Sequence, residues 1–168
     1  AGKSYGDVLQ ALRYLGIDDA RARHLGLDVY KVGMIWPLEP EGLREFASGC
    51  DELFFIEEKS AFMEPQATAL LYNDAHRPRI VGKLDEGGAA LLPSDLLLDG
   101  LSVAHAIAAR LQRNGMADAQ LEASLEIVRS VRNVLVPIMD MSQRRLPYFC
   151  SGCPHSTSIN VPEGSMAF

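Results

Sequence analysis

The chain has 168 residues, of which 48% are hydrophobic and 23% are charged, and its formal net charge is −6. This length and composition predict one globular domain with a buried core and some additional segments. The acidic balance excludes the usual nucleic-acid-binding composition, because a phosphate backbone requires concentrated positive charge and the Lys and Arg residues are scattered along this chain. We expect no nucleic-acid partner.

The sequence also favours a cytoplasmic protein. Its apolar runs are shorter than the ~20 residues that span a membrane, and it shows no signal-peptide pattern. Its three cysteines are an odd number, and two of them stand in a ligand-like motif, which suits a reducing compartment better than a disulfide framework. We therefore expect no membrane partner.

The first predicted element is a helix from Tyr5 to Leu15, in which apolar residues recur at intervals of three and four. Ser4 and Asp7 fit a capping box at its start, and Gly16 supplies its end.

Strands and helices then alternate. Leu27 to Ile35 alternates between apolar and polar residues, as a strand does, and Leu53 to Ile56 is a continuous apolar run typical of a strand buried on both faces. Pro40 to Ala47 and Met63 to Tyr72 are predicted helices, and Arg79 to Gly82 is another short strand. This order predicts a three-layer α/β fold, with a mainly parallel sheet covered by helices on both faces.

The second part of the chain has a different character. The apolar spacing predicts a helix from Val103 to Leu111, closed by Asn114-Gly115, and another from Leu121 to Val131. Prolines recur from Pro137 onward and interrupt any period, which indicates an irregular tail. The predicted boundaries are an α/β sheet domain at 1–92, a helical extension at 93–136, and a linker with the beginning of the next domain at 137–168.

Two short polar motifs are candidates for chemistry. Gly2-Lys3-Ser4 looks like the end of a phosphate-binding loop, although a helix opened by glycine and capped by serine explains it more simply. Glu57-Glu58-Lys59 follows a predicted strand, at the edge where open α/β sheets bind ligands. Its paired carboxylates suit either acid–base work or a solvated strand end with local ion pairs, and we favour the second interpretation.

Cys150-Ser151-Gly152-Cys153-Pro154-His155 places three possible metal ligands within six residues. Covalent haem attachment is excluded, because Pro154 occupies the position that requires histidine. A thioredoxin-like redox pair, a zinc site on Cys150, Cys153 and His155, and an unligated connecting segment remain open. A structural zinc needs a fourth ligand, and a four-iron cluster needs about four thiolates.

Five segments in order resemble one known family: Lys31–Met34, Trp36–Pro40, Phe55–Lys59, Gly82–Asp85 and Cys150–His155. They resemble the 2-oxoacid:ferredoxin oxidoreductases, and in particular indolepyruvate ferredoxin oxidoreductase. The resemblance runs through nearly the whole chain. It implies a domain of the transketolase carboxyl-terminal type, followed by the start of a domain that binds thiamine diphosphate.

The resemblance also implies a chemistry for the parent enzyme. In this family the enzyme decarboxylates a 2-oxoacid on thiamine diphosphate held by a divalent metal, forms an acyl-CoA, and passes two electrons through iron–sulfur clusters to ferredoxin. Cys150 and Cys153 occupy positions that supply cluster ligands in related subunits. The chain itself has no Gly-Asp-Gly segment followed by Asn and no cysteine-rich ferredoxin run. We therefore expect it to bind none of these cofactors alone and to be inactive alone.

We interpret the chain as part of such an enzyme, with a structural and assembly role and with no catalytic or cofactor-binding residue assigned. Its expected partners are the other domains of the same enzyme, in a homodimer or larger assembly, with ferredoxin as the electron acceptor of the parent. Two other hypotheses remain: a non-catalytic α/β interaction module, and a small metal-binding protein that uses the cysteine segment.

Overall fold

A computed structural model describes residues 2–95, 97–134 and 153–154. Residues 1–135 form one compact unit, and residues 136–168 form a second. The first unit contains, in chain order, α1 (Gly2–Tyr14), α2 (Asp19–His24), α3 (Pro40–Ala47), β1 (Glu52–Phe54), α4 (Met63–Leu71), β2 (Arg79–Val81), α5 (Gly100–Arg113) and α6 (Ala119–Val134). Across the described residues, no helix is both long and apolar enough to cross a membrane.

The sheet consists of two parallel strands. β1 and β2 pair in parallel with Leu53 opposite Ile80, and α4 connects them. β1 overlaps the predicted strand at Leu53 and Phe54, and β2 covers all of the second predicted strand except Gly82. The two parallel strands are compatible with the predicted α/β class. In the described part of the chain the sheet has only these two strands, and the larger three-layer sheet stays a prediction.

The predicted strand from Leu27 to Ile35 is wrong. The segment is irregular and joins neither strand, and its one bridge pairs Ile35 with Leu38 within a tight turn. Its successive side chains contact helices instead. Tyr30 stacks on Phe46 of α3 with 4.9 Å between ring centroids, and the Lys31 ammonium lies 4.8 Å from the ring centroid of Tyr5 on α1.

The longer helices are confirmed with small shifts at their ends. Because α1 begins at Gly2, Ser4 lies inside its first turn, and the predicted capping box is wrong. The six-residue helix α2 is not predicted, since it contributes no buried residue and so leaves no apolar period in the sequence. Its start is marked instead by the Asp18 carboxylate, which accepts a hydrogen bond from the Arg21 backbone N–H.

Two apolar clusters lie on either side of β1. The first joins α1, α5 and α6, and Phe54 and Ile56 pack against it. The second joins α3 and α4, and it contains Leu53, with Phe55 packed against it. Alternate residues of the predicted Leu53–Ile56 strand therefore serve different clusters, as the pleat of a strand requires. Leu53 is buried, whereas Phe55 is only half-buried.

Candidate functional site

The carboxyl ends of β1 and β2 form the best candidate site. Glu57, Glu58 and Lys59 follow β1, and Gly82 and Lys83 follow β2. Because the two strands are parallel, these residues lie at one edge of the sheet, which is where open α/β sheets bind ligands. We define these five residues as the strand-end cluster.

Glu57 caps α4. Its side chain is buried, and its carboxylate accepts hydrogen bonds from the backbone N–H groups of Phe62 at 3.0 Å, Met63 at 2.8 Å and Glu64 at 3.1 Å. Phe62, at the usual capping position, provides no side-chain hydrogen bond. Glu57 therefore satisfies the free donors at the start of α4 from outside the helix, and its negative charge complements the helix dipole.

Lys83 connects two chain segments at this edge. Its Nζ donates to the carbonyl oxygens of Glu57 at 2.5 Å and Pro93 at 2.9 Å. Burial lowers the pKa of Lys83 below its ordinary value, although the carboxylates of Glu57, Glu58 and Glu64 oppose that shift. Because these two acceptors are both carbonyl oxygens, the amine is held as a hydrogen-bond donor between two chain segments.

Gly82 leaves room for the Glu64 side chain at the same edge. A Cβ atom built on Gly82 would lie 2.0 Å from Oε2 of Glu64, on the first turn of α4. The Glu64 carboxylate also accepts a hydrogen bond of 3.4 Å from the Lys83 backbone N–H. The absence of a side chain at Gly82 therefore lets the Glu64 carboxylate lie against the end of β2.

Glu57 fits neither interpretation of the paired carboxylates, which were acid–base work and a solvated strand end with local ion pairs. Glu57 is neither a solvated ion-pair partner nor a group open to substrate, since three backbone donors occupy it. Glu58 is half-buried, and Lys59 is exposed with a φ of 59° in the left-handed region. The sequence does not predict this cap, because Glu57 lies six residues before the start of α4 and outside the local capping patterns.

Lys3 is engaged within the chain. Its ammonium lies 2.8 Å from the Asp7 carboxylate and also donates to the Leu98 carbonyl. The hydrogen bond that Lys3 donates to the Asp7 carboxylate raises the pKa of Lys3. This arrangement favours a helix start over a phosphate site for Gly2-Lys3-Ser4, with Ser4 inside the first turn rather than at the cap.

A cavity of about 600 Å³ lies beside β1. Cys50 lines it, and the Cys50 thiol donates to the Phe46 carbonyl at 3.3 Å. Burial, followed by the negative charges of Asp28 and Asp51, raises the pKa of this thiol. A nucleophilic cysteine needs a lowered pKa, so Cys50 is not activated.

Three charged side chains of the cavity, Glu52, Arg79 and Arg110, belong to an ion-pair network. Arg110 of α5 binds Glu52 of β1 through two hydrogen bonds, Nε to Oε1 at 2.9 Å and Nη2 to Oε2 at 2.5 Å, and binds Glu86 at 2.9 Å. Burial raises the pKa of Glu52, but the hydrogen bond and charge of Arg110 outweigh it, and the pKa is lowered overall. This network joins α5 to the sheet.

The cysteine segment falls largely outside the described residues. Cys150 and His155 are not among them, while Cys153 is described and half-buried. Within the described ranges, no group of three His, Cys, Asp or Glu side chains is arranged to hold a metal ion. The cluster-ligand role of Cys150 and Cys153, and the zinc alternative with His155, stay predictions.

Comparison with known proteins identifies the family. The family model of the indolepyruvate oxidoreductase domain matches residues 1–135. The chain belongs to the indolepyruvate oxidoreductase domain family. The match confirms the family resemblance and covers all the helices and strands described above. No curated protein and no solved structure matches the chain.

Proposed function

We propose that this chain is a structural and assembly part of a 2-oxoacid:ferredoxin oxidoreductase of the indolepyruvate type. The parent enzyme would use thiamine diphosphate and iron–sulfur clusters to convert an aryl 2-oxoacid into an acyl-CoA, with ferredoxin as the electron acceptor. The family match over residues 1–135 carries this proposal.

The geometry of the strand-end cluster supports a structural role. Glu57 caps a helix, and Lys83 joins two carbonyl oxygens. In an α/β enzyme the same edge is the usual place for substrate-binding groups. Since internal contacts engage the buried polar groups at this edge, the domain contributes stability and shape to the parent.

The described residues do not fit the cofactors of such an enzyme. A divalent metal needs several oxygen ligands, and the Glu57 carboxylate already accepts three backbone hydrogen bonds. A four-iron cluster needs about four thiolates, whereas the described residues contain only Cys50 and Cys153. We therefore assign no cofactor and no catalytic step to them.

Substitutions at the strand-end cluster test this structural role in the parent enzyme. Glu58→Gln and Lys59→Ala remove the two charges of the cluster that are not fully buried. Both variants should keep kcat and KM for the 2-oxoacid within about twofold, because neither residue would contact substrate. A loss of kcat of about 100-fold in either variant would place a catalytic group in this domain and refute the structural role.

A further inference from the structure

One edge of β1 is free. β1 pairs with β2 on its other edge, and the described part of the chain adds no further strand to the sheet. The Phe55 N–H donates to the Val81 carbonyl of β2 at 2.8 Å. Because alternate residues of a strand bond to opposite neighbours, the backbone N–H and C=O groups of Glu52 and Phe54 point away from β2. Within the described ranges no residue bonds to these four groups.

The cavity of about 600 Å³ runs along this free edge. It is lined by every residue of β1 but by only Arg79 of β2, so it lies on the side of β1 that faces away from β2. Its walls come from both apolar clusters, with Leu12 and Leu111 from the first and Leu43 and Met63 from the second. The free edge therefore opens into a slot that lies in the plane of the sheet, between two apolar faces.

The position of the slot favours a flat and compact ligand. Apolar side chains on its two faces can enclose a ring that lies in the plane of the sheet, and its volume is within the range of about 300–1,000 Å³ that is usual for small-molecule sites. A peptide that adds a strand needs an exposed sheet edge. Here helices cover the two faces and residues 26–32 also line the cavity, so the edge is not open to an added strand.

The charges of the cavity favour an uncharged ligand. The charged side chains that line it are balanced, with three of each sign: Asp28, Asp51 and Glu52 against Lys31, Arg79 and Arg110. Glu52 binds both arginines, and the Lys31 ammonium lies on the Tyr5 ring. Asp28 and Asp51 are exposed to solvent. A charged ligand would lose its hydration in the slot and meet no free buried charge of opposite sign among these side chains.

We propose that the cavity beside β1 binds a flat, uncharged heteroaromatic ring that carries a hydrogen-bond donor beside an acceptor, as adenine does. The ring donor bonds to a backbone carbonyl, and the ring acceptor bonds to a backbone N–H, of Glu52 or Phe54. Since both backbone groups of one strand residue point to the same side, Phe54 alone can pair with both. This site goes beyond the proposed function and does not depend on it, because it involves no step of that reaction.

7-Azaindole is the probe that tests these hydrogen bonds. It is flat and uncharged, and its ring N–H stands beside an accepting ring nitrogen. Indole keeps the shape and the N–H but lacks the acceptor, and 1-methyl-7-azaindole keeps the acceptor but lacks the donor. In titrations of the chain followed by amide NMR, 7-azaindole should bind about tenfold more tightly than either analogue, because each analogue leaves one backbone group of the free edge unpaired. Equal affinities for the three ligands, or no saturable binding of 7-azaindole, would overturn the inference.

Nuclear Overhauser effects locate the bound ring. In the complex, ring protons of 7-azaindole should show effects to the Phe54 amide proton and none to the Phe55 amide proton, because the latter points to β2. Binding with no effect to the amide proton of Glu52 or Phe54 would place the ring elsewhere and refute the site.

Amide hydrogen exchange tests whether the edge is free before binding. In the unliganded chain the Phe54 amide should exchange at least about tenfold faster than the Phe55 amide, since only Phe55 is bonded to β2. Equal rates would show that a segment of this chain, or of a second copy, already pairs with the edge. The slot would then be closed to a ligand and the inference would be wrong.

Two variants of Cys50 separate filling of the cavity from loss of the thiol. Cys50 lines the cavity, and both Cys50→Phe and Cys50→Ala lose its hydrogen bond to the Phe46 carbonyl. Cys50→Phe should weaken the binding of 7-azaindole at least about tenfold, because its ring occupies the space of the ligand, whereas Cys50→Ala should change the affinity by less than about twofold. Equal affinities in the two folded variants would refute binding in this cavity. If Cys50→Phe does not fold, the ligand series and the Overhauser effects on the unchanged chain decide the question.

Discussion

Arg110→Met removes the cation that neutralises a carboxylate beneath α5. The side chains of Arg110 and Glu52 are only 7% and 10% exposed, and two hydrogen bonds join them. Leaving one charge of a buried pair without its partner costs about 3–5 kcal/mol. Arg79 remains 3.2 Å from Glu52 but is 46% exposed, so it offsets only part of the loss. Since methionine replaces most of the aliphatic stem of Arg110, we expect the free energy of unfolding to fall by about 3 kcal/mol.

Urea denaturation of the chain at pH 7, followed by circular dichroism, measures this loss. The double variant Arg110→Met/Glu52→Leu should recover to within about 1 kcal/mol of the wild type, because it leaves no charge buried between α5 and β1. Glu86, the other partner of Arg110, is 29% exposed and can be hydrated when Arg110 is removed. A loss below about 1 kcal/mol in Arg110→Met, or a double variant as unstable as the single one, would refute this reasoning.

The same pair predicts a pH dependence. In the wild type the pKa of Glu52 is lowered, so its contribution to stability is present above the unfolded pKa of about 4.3 and is lost as the pH falls through the folded-state pKa. Without Arg110 we expect burial to raise the pKa of Glu52, and the variant then loses stability as the pH rises through that value. The stability difference between the two proteins should therefore shrink as the pH falls from 7 toward about 4.

Three further expectations concern the interior, the helix cap and the cysteine segment. Leu53→Ala should lower the free energy of unfolding, measured by urea denaturation, by about 2–5 kcal/mol, because Leu53 is buried. Phe55→Ala should lower it by about 1–3 kcal/mol, because Phe55 is half-buried, and equal losses in the two variants would contradict this order. Glu57→Gln should lower the free energy of unfolding by about 1–2 kcal/mol, because it weakens the cap of α4. Glu58→Gln should change it by less than about 0.5 kcal/mol, and similar losses in both variants would exclude the cap. The anaerobically purified chain should not hold a stoichiometric iron–sulfur cluster, and about four irons per chain that disappear in Cys150→Ser would contradict this unless two chains share ligands.

Local patterns were sufficient for the elements that bury a regular apolar face. The boundaries of α3 agree with the prediction from Pro40 to Ala47, since the proline marks the first turn and Leu43 and Ala47 supply the buried face. Both strands of the sheet were also predicted, because each is a short apolar run between turn residues. These features depend on residues close together in the sequence.

Features that depend on distant residues could not be predicted in the same way. The alternation from Leu27 to Ile35 is compatible with a strand, but in the structure Tyr30 and Lys31 contact Phe46 and Tyr5 of two distant helices instead. The burial of Glu57 depends on the donors at the start of α4, and the pairing of Glu52 with Arg110 joins residues 58 positions apart. A sequence shows the residue types in such contacts but not which distant residues meet.

The central claim is that this chain is a part of an indolepyruvate-type oxidoreductase and depends on the rest of that enzyme for chemistry. The most direct measurement compares the isolated chain with the parent enzyme in an assay with indolepyruvate, coenzyme A, thiamine diphosphate and a viologen electron acceptor. We expect 2-oxoacid-dependent reduction of the viologen by the parent and none above background by the chain. Turnover that follows the purified chain, or a parent enzyme with its cofactors bound that reduces no viologen, would contradict the claim.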